Sequence, residues 1–433
     1  MWLHYLELGW RATRSHKALS LLIVLAIGMG IGASMTTLTV FRALSGDPLP
    51  GKSERLFYVQ LDAQTRGRPA PDNEPVALAT RFDAEALLRE RRGDRQAMMV
   101  GGAALLATEA ADARPELVTT RHTSADFFAM FEVPFAFGSG WSGEDDQREA
   151  RVAVISSELN QRLFGGADSR GRRLLVAGQP LTIVGVLAPW RPAPHFYDII
   201  TGRYAQAEQL YLPFSTALAL KLGFNGSMRC WGETNGDSRG LNAACAWLQY
   251  WVELGTPQKE ADYRRYLANY SEQQRAAGRF DRPANPRLRN VMDWLAFNRV
   301  VPGDVKLQLW LSFGFLLVCL TNTVGLLLAT SLRRAPEIGV RRALGATRGA
   351  IFAQFLAQAG GLGLAGGAVG LALAALGLWA VRLNPVAYAD LARLDGTMLL
   401  VTLAASLAAS LLAGLLPAWH ACRVMPALHL KTQ

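Results

Sequence analysis

The sequence predicts an α-helical membrane protein with four transmembrane helices and a large extracytoplasmic α+β domain inserted between helices 1 and 2. Two observations carry this prediction. Four segments are almost free of charge, and each reaches the roughly 20 residues that a helix needs to cross a bilayer. Between the first and second of them lies a long mixed segment with strand and helix signals, residues 44–304. We place the four spans at residues 18–43, 305–331, 351–382 and 398–417.

Orientation follows from the lysine and arginine counts in short connections, because cytoplasmic loops are enriched in these residues. The connection 332–350 holds five arginines, whereas 382–397 holds two, Arg382 and Arg393, offset by two aspartates. We therefore expect both termini and 332–350 in the cytoplasm, with 418–433 as a cytoplasmic tail. Residues 44–304 and the short loop 383–397 are then external.

The basic excess has a simple origin in this arrangement. The net charge of +10 is dispersed over several loops, which is typical of a topology signal and argues against a nucleic-acid partner.

Residues 1–17 carry Trp2, Leu6 and Trp10 at helical spacing before basic residues, which predicts a cytoplasmic interfacial helix. A frayed terminus is the alternative. The first span has too long an apolar core for an ordinary signal peptide, so we expect an uncleaved anchor.

The external segment alternates strand-like and helix-like stretches. Strand composition occurs at 55–61, 96–107, 151–156, 172–178, 181–187, 250–254 and 287–298, and helical composition at 83–92, 156–164 and 259–278. The recurring order suggests two similar lobes. Residues 190–249, rich in Gly, Asn and Trp, resemble an irregular insertion. Cys230 and Cys245 lie in this part of the chain, where an oxidising compartment would allow a disulfide; two buried free thiols are the alternative.

The residues that would mark an enzyme are missing from these 433 residues. There is no Gly-x-x-x-x-Gly-Lys-Ser/Thr motif for phosphates, no histidine spacing for a metal and no Gly-x-Ser-x-Gly elbow. Asp145 and Asp146 are adjacent acids, which are usually solvated. Thr321 and Asn322 in the second span favour hydrogen bonds between helices over a transport site. We expect a non-catalytic chain that binds no cofactor of its own.

The connection 332–350 contains the basic, helix-prone stretch EIGVRRALGATR, with Pro336 at a plausible first helical position. Its arginines could pair with carboxylates on a partner surface, or they could bind anionic lipid headgroups. Spacing alone does not decide between the two. The candidate contact residues are Glu337, Ile338, Gly339, Arg341, Arg342, Leu344, Gly345 and Arg348.

Glycines in two spans are candidates for close helix packing in a dimer; the alternative is that they have no interface role, since glycine is common in membrane spans. Small residues spaced by four let transmembrane helices approach closely. These glycines are Gly28 and Gly32 in the first span, and Gly363, Gly367 and Gly370 in the third.

Five stretches, in this order, resemble the MacB/FtsX-like permeases of type VII ABC transporters. They are DPLPGKSERLFYV (47–59), SADFFAMFEVPFAFG (124–138), RVAVISSELNQRLFGG with GRRLLVAGQPLTIVGVLAP (151–189), LRRAPEIGVRRALGATRGAIFAQFLAQ (332–358) and LPAWHACRVMPALHL (416–430). The topology of one span, an external domain and three spans is also similar to that family. Residues 190–249 match no family motif, which leaves the substrate and external partner open.

The resemblance implies an inner-membrane permease that dimerises with an identical copy or a paralogue. A separate cytoplasmic ATPase would bind ATP and Mg²⁺ and dock on the 332–350 connection, so the resemblance favours docking over lipid binding there. ATP hydrolysis would change the conformation of the external domain by mechanotransmission, with efflux of a peptide, antibiotic or lipidic molecule through a periplasmic adaptor and an outer-membrane channel. The alternatives are a regulator of a cell-wall hydrolase, a sensor of antimicrobial peptides, and lipoprotein extraction.

Overall fold

A computed structural model describes residues 17–64, 73–108, 115–234, 236–384, 388–393 and 396–422. The chain forms two compact units. One contains the apolar helices, and the other is the inserted segment Gly46–Val300. The predicted interfacial helix lies almost entirely outside the described residues, as does the tail after Cys422.

Twelve α-helices occur in the described parts of the chain. They are α1 Lys17–Ser45, α2 Arg81–Glu90, α3 Phe127–Met130, α4 Gly143–Gln147, α5 Ser157–Phe164, α6 Phe214–Ala219, α7 Pro257–Ala276, α8 Val291–Phe297, α9 Gly303–Arg333, α10 Ala335–Ala343, α11 Arg348–Leu383 and α12 Gly396–Cys422.

Four of the described helices, α1, α9, α11 and α12, are long and apolar enough to cross a membrane. Helix α1 packs against α9 and α11, and α11 packs against α12. The fourth span extends past its predicted end at residue 417, because α12 continues through Pro417 to Cys422. A proline inside a membrane helix is tolerated where neighbouring groups compensate for the missing hydrogen bond.

The inserted segment folds on a sheet of thirteen strands, of which nine follow the order β13-β1-β12-β3-β4-β9-β6-β8-β5. Most neighbours are antiparallel, but β4 with β9 and β6 with β8 are parallel. The strands are β1 Leu56–Gln60, β2 Ala79–Thr80, β3 Arg95–Thr108, β4 Glu116–Thr123, β5 Phe135–Gly138, β6 Val152–Ile155, β7 Arg173–Val176, β8 Gln179–Leu187, β9 Leu210–Pro213, β10 Gly223–Asn225, β11 Arg229–Cys230, β12 Cys245–Glu253 and β13 Arg287–Asn290.

Two hydrophobic clusters cover this sheet. One lies under α2 and α7 and includes Leu87, Val252 and Leu267. The other lies under α5 and includes Ile155 and Leu159. The expected two lobes therefore correspond to two cores on one shared sheet within a single compact unit, and a repeated strand–helix–strand unit is not what separates them.

Two sequence-based assignments in this domain were wrong. The stretch 287–298 is a strand only as far as Asn290, whose side chain accepts a hydrogen bond from Asp293 N at 2.8 Å and starts helix α8. Residues 190–249 are not an irregular insertion, because they contain β9, which lies between β4 and β6 inside the sheet. Its partner strand β4 is distant in sequence, so local composition could not reveal the pairing. Cys230 and Cys245 form a disulfide between β11 and β12.

A buried ion-pair network connects β4 to the segment that precedes β9. The Arg121 guanidinium is fully buried and contacts Asp198 Oδ2 at 2.8 Å and Glu208 Oε1. Tyr197 donates to Glu208 at 2.8 Å, and Gln249 on β12 donates to Asp198 at 2.9 Å. Burial would lower the pKa of Arg121, but the carboxylates of Glu208 and Asp198 raise it, so the cation persists. The network fixes three strands relative to one another.

Removing this cation should strongly destabilise the inserted domain. Arg121→Leu leaves the Asp198 and Glu208 carboxylates buried without a partner, and we expect the free energy of unfolding to fall by about 3–5 kcal/mol. Arg162→Ala is the control, since its exposed pair with Glu116 (3.0 Å) should contribute less than about 1 kcal/mol. Denaturant unfolding of the purified chain, followed by tryptophan fluorescence, measures both. Equal midpoints for the two variants would contradict the structural role of Arg121.

Candidate functional site

The connection between the second and third spans forms a short helix followed by a tight turn. Helix α10 begins directly after α9, and Pro336 lies in its first turn. Gly345 then adopts φ +99°, a conformation that side chains rarely allow. Thr347 accepts a hydrogen bond from Ala350 N at 3.2 Å and caps the start of α11. The turn thus reverses the chain within a few residues and holds α10 beside the ends of α11 and α12.

One side of α10 is buried against its own chain. Ile338 is only 6 % exposed and packs with Ile351 and Phe355 of α11 and with Ala421 of α12. Gly339 is buried on the same side. Ile338 and Gly339, which the sequence analysis included among the partner contacts, therefore anchor the helix to the spans and are not accessible to another protein.

Two of the three arginines also have partners within the chain. Arg341 pairs with Glu337 at 2.6 Å, one helical turn away, and donates to Gln354 Oε1 at 3.3 Å. Arg342 donates to the backbone carbonyl of Cys422 at 3.3 Å, which ties α10 to the end of α12. Arg348 is exposed. The sequence suggested that all three arginines could pair with acidic groups of a partner. Arg341 and Arg342 instead contact residues of their own chain and hold α10 in position.

The opposite side of α10 presents apolar side chains to its surroundings. Leu344 is 83 % exposed and Val340 is 50 % exposed, and Ala343 lies exposed between them. We call Val340, Ala343 and Leu344 the apolar face of α10. Glu337 and Arg348 are exposed at its two ends. An apolar centre with charged edges is the usual composition of a protein contact surface.

The candidate glycines pack between spans of the same chain. A Cβ atom on Gly28 would lie 2.7 Å from Val369, and one on Gly32 would lie 2.8 Å from Leu373, so both glycines of α1 face α11. In return, a Cβ on Gly370 would lie 3.0 Å from Ile31. These contacts leave no space for a side chain at any of the three positions.

Gly363 and Gly367 form a second pair on α11, and they face α12 instead of α1. A Cβ on Gly367 would lie 2.8 Å from Ser406 of α12, and the Ser406 hydroxyl donates to the Gly363 carbonyl at 2.5 Å. Helix α11 therefore has one small-residue face for α1 and another for α12. Close packing through these glycines is present between spans of one chain.

The adjacent residues Asp145 and Asp146 have different environments and opposite pKa shifts, although the sequence predicted that both are solvated. Asp145 accepts from the Ser142 backbone at 3.0 Å, and this hydrogen bond and those from Ser142 and Arg148 side chains lower its pKa. Asp146 is half-buried and accepts from the Ser215 hydroxyl at 3.1 Å. Burial raises the pKa of Asp146 to about 6, against the opposing hydrogen bonds from Ser215 and the Ala125 backbone. Only the tertiary fold distinguishes the two.

The fold and this connection define a multi-pass membrane protein with a large inserted domain and a short, half-buried helix between its second and third apolar helices. The described residues contain no group of three or more His, Cys, Asp or Glu that could hold a metal ion. The comparisons with known proteins then identify the family.

The MacB-like periplasmic core domain family matches residues 20–254, and the FtsX-like permease C-terminal family matches residues 309–426. The chain therefore belongs to the MacB/FtsX-like family of ABC transporter permeases. The apolar helices and the MacB-like periplasmic domain fit a multi-pass protein of the inner membrane.

Among relatives, the chain is 26 % identical to the pyoverdine export ATP-binding/permease protein PvdT of Pseudomonas aeruginosa over 72 % of this chain and 42 % of the relative. It is 26 % identical to the macrolide export ATP-binding/permease protein MacB of Chromobacterium violaceum over 57 % and 33 %. The chain thus spans about half the length, or less, of the curated relatives it matches. The crystal structure of the periplasmic region of MacB from Actinobacillus actinomycetemcomitans covers 60 % of this chain and 100 % of that chain, with 11 % identity and a TM-score of 0.38.

Replacing a closely packed glycine should lower stability, whereas replacing an exposed glycine should not. A Cβ on Gly366 would lie 2.7 Å from Ile27, whereas one on Gly325 has nothing within 4 Å. Gly366→Val should therefore lower stability by roughly 1–3 kcal/mol through overpacking, while Gly325→Val, with the same change in helix propensity, should be tolerated. Thermal melting of the two purified variants in detergent measures the difference. Identical melting temperatures would show that the α1–α11 contact is looser than the structure indicates.

Proposed function

We propose that this chain is the permease subunit of an ABC transporter and that a partner ATPase docks on the apolar face of α10. The observation that carries the proposal is the two-sided character of this helix. One side is fixed to α11 and α12 through Ile338 and Arg342, and the other exposes Val340 and Leu344. ATP and Mg²⁺ would bind on the partner, because this sequence contains no phosphate-binding loop.

The fixed side of α10 supports mechanotransmission as the mode of coupling. A force on the apolar face would pass through Ile338 to the ends of two spans at once. Charged residues in the four apolar helices lie near their ends, and the central parts contain none. Substrate sites at membrane depth are usually marked by ionisable groups, so their absence from these central parts supports handling of the substrate outside the hydrocarbon.

The direction and the substrate class rest on the relatives. The names of PvdT and MacB describe export of pyoverdine and of macrolides. We propose export from the outer side of the inner membrane, with a peptide, antibiotic or lipidic substrate and with an adaptor and outer-membrane channel as further partners. Both termini and α10 would then be cytoplasmic, as the distribution of lysine and arginine indicates. A second permease copy or a paralogue would complete the complex.

Docking can be tested by shortening the apolar face without unfolding the helix. Val340→Ala/Leu344→Ala removes most of the exposed apolar surface, and alanine maintains helix propensity. We expect the amount of ATPase that co-purifies with the permease to fall at least about tenfold, because central apolar contacts dominate such interfaces. Leu332→Ala is the matched control, since Leu332 is also exposed (63 %) but lies on α9. Undiminished co-purification of the double variant would refute docking through this face.

A further inference from the structure

The inserted domain contains an open cleft of about 790 Å³ beside the hydrophobic cluster that includes Leu87. Helix α2 and the start of β3 form one wall, and α4 and α6 form the other. Met98, Phe214 and Leu218 contribute an apolar part of the lining. The volume lies in the range that accommodates drug-sized ligands. Most of the other lining side chains are charged or polar, which makes the cleft unsuitable for a purely hydrocarbon ligand.

The α2 wall is basic, and two of its guanidinium groups are free. Arg81 pairs with Glu85 at 2.6 Å, and Arg95 pairs with Glu253 at 3.0 Å. Arg89 and Arg91 are exposed and have no hydrogen bond or ion pair with any residue that the structure describes. Both residues line the cleft, and guanidinium groups bind carboxylates through charge-assisted hydrogen bonds.

The opposite wall is acidic. Asp146 is half-buried, with one face held by Ser215 and the Ala125 backbone. Glu149, three residues later, is exposed, and its carboxylate has no partner among the described residues. Asp126 also lines the cleft, and accepts from Gln96 N at 3.0 Å.

Opposite charges therefore face each other across the cleft without meeting. Within the described part of the domain, no ion pair joins Arg89 or Arg91 to the acidic wall. The Arg91 guanidinium comes within 3.8 Å of the position that a Cβ would take on Gly143 of α4 and makes no ion pair there, so a molecule in the cleft can reach both sets of charges. A simple anion would satisfy only one wall and would lie near the uncompensated carboxylates of the other.

We propose that this cleft binds an amphoteric small molecule, such as a short peptide with free ends, through its carboxylate at Arg89 and Arg91 and its ammonium at Asp146 and Glu149. The apolar lining from Met98 and Phe214 would contact the middle of the ligand. The inference rests on the proposed function in one respect, namely that a ligand bound here would be the transported substrate. Binding itself does not depend on the ATPase.

The test uses the purified full chain in detergent, without ATPase, in low-salt buffer because exposed charges are screened by salt. Isothermal titration compares three probes. The first is the peptide Lys-Gly-Gly-Glu with free ends. The second has Gln in place of Glu and an amidated end, and so lacks the anion. The third has Gln in place of Lys and an acetylated end, and so lacks the cation.

We expect the first peptide to bind and the other two to bind more weakly. Arg89→Gln/Arg91→Gln should weaken binding of the free peptide roughly ten- to hundredfold, with little further loss for the amidated peptide. Asp146→Asn/Glu149→Gln should show the same pattern with the acetylated peptide. The control Arg172→Ala/Arg173→Ala removes two adjacent exposed arginines outside the cleft and should leave binding unchanged. Melting curves confirm that each variant is folded.

Three results would overturn the proposal. They are no binding of the free peptide up to millimolar concentration, equal binding by the cleft variants and the original chain, and an equal loss in the control. Because no ATPase is present, these outcomes are independent of whether α10 docks a partner. Failure of docking with intact peptide binding would leave the cleft assignment standing.

Discussion

The burial of Ile338 between α11 and α12 is the contact on which the mechanical account depends. Helix α10 has nine residues, and an isolated helix of that length is not stable in water. Its position therefore comes from packing, and burial of an isoleucine side chain contributes about 1.5–3 kcal/mol. The hydrogen bond from Arg342 to Cys422 then fixes its rotation, so that Val340 and Leu344 face outward. One side of a short helix serves attachment, and the other remains available for a partner.

Close glycine contacts extend this attachment through the span bundle. Helix α11 meets α1 through Gly370 and meets α12 through Gly367. Close-packed helices transmit a displacement because there is little free volume to absorb it. A movement of α10 would thus displace α11 and α12 first, and α11 would then displace α1. Charge has two roles in the inserted domain. Arg121 is buried and paired, whereas Arg89 and Arg91 in the cleft are exposed and form no ion pair with a residue that the structure describes.

Local properties of the sequence predicted the four apolar helices, seven of the thirteen described strands in whole or in part, and the helical connection, because apolar length, alternation and turn residues are read within a few positions. The helical stretch predicted at 156–164, for example, is α5, with Ser156 capping its start and Gly165 its end. The features that the sequence did not predict depend on contacts between residues that are distant in sequence. The pairing of β9 with β4 and the burial of Asp146 against Ser215 leave no local pattern. The same holds for the inward position of Ile338, since a short amphipathic helix does not itself show which neighbour covers which face.

The most direct measurement is ATP hydrolysis by the ATPase bound to an Ile338→Ala permease, compared with the original complex and with the ATPase alone. The account predicts that the ATPase still co-purifies, because the apolar face is intact, but that the effect of the permease on the hydrolysis rate is lost. Ile338→Val, which creates a smaller cavity, should give an intermediate effect. An unchanged influence on hydrolysis, or loss of the ATPase together with that influence, would contradict a helix that docks on one side and transmits on the other.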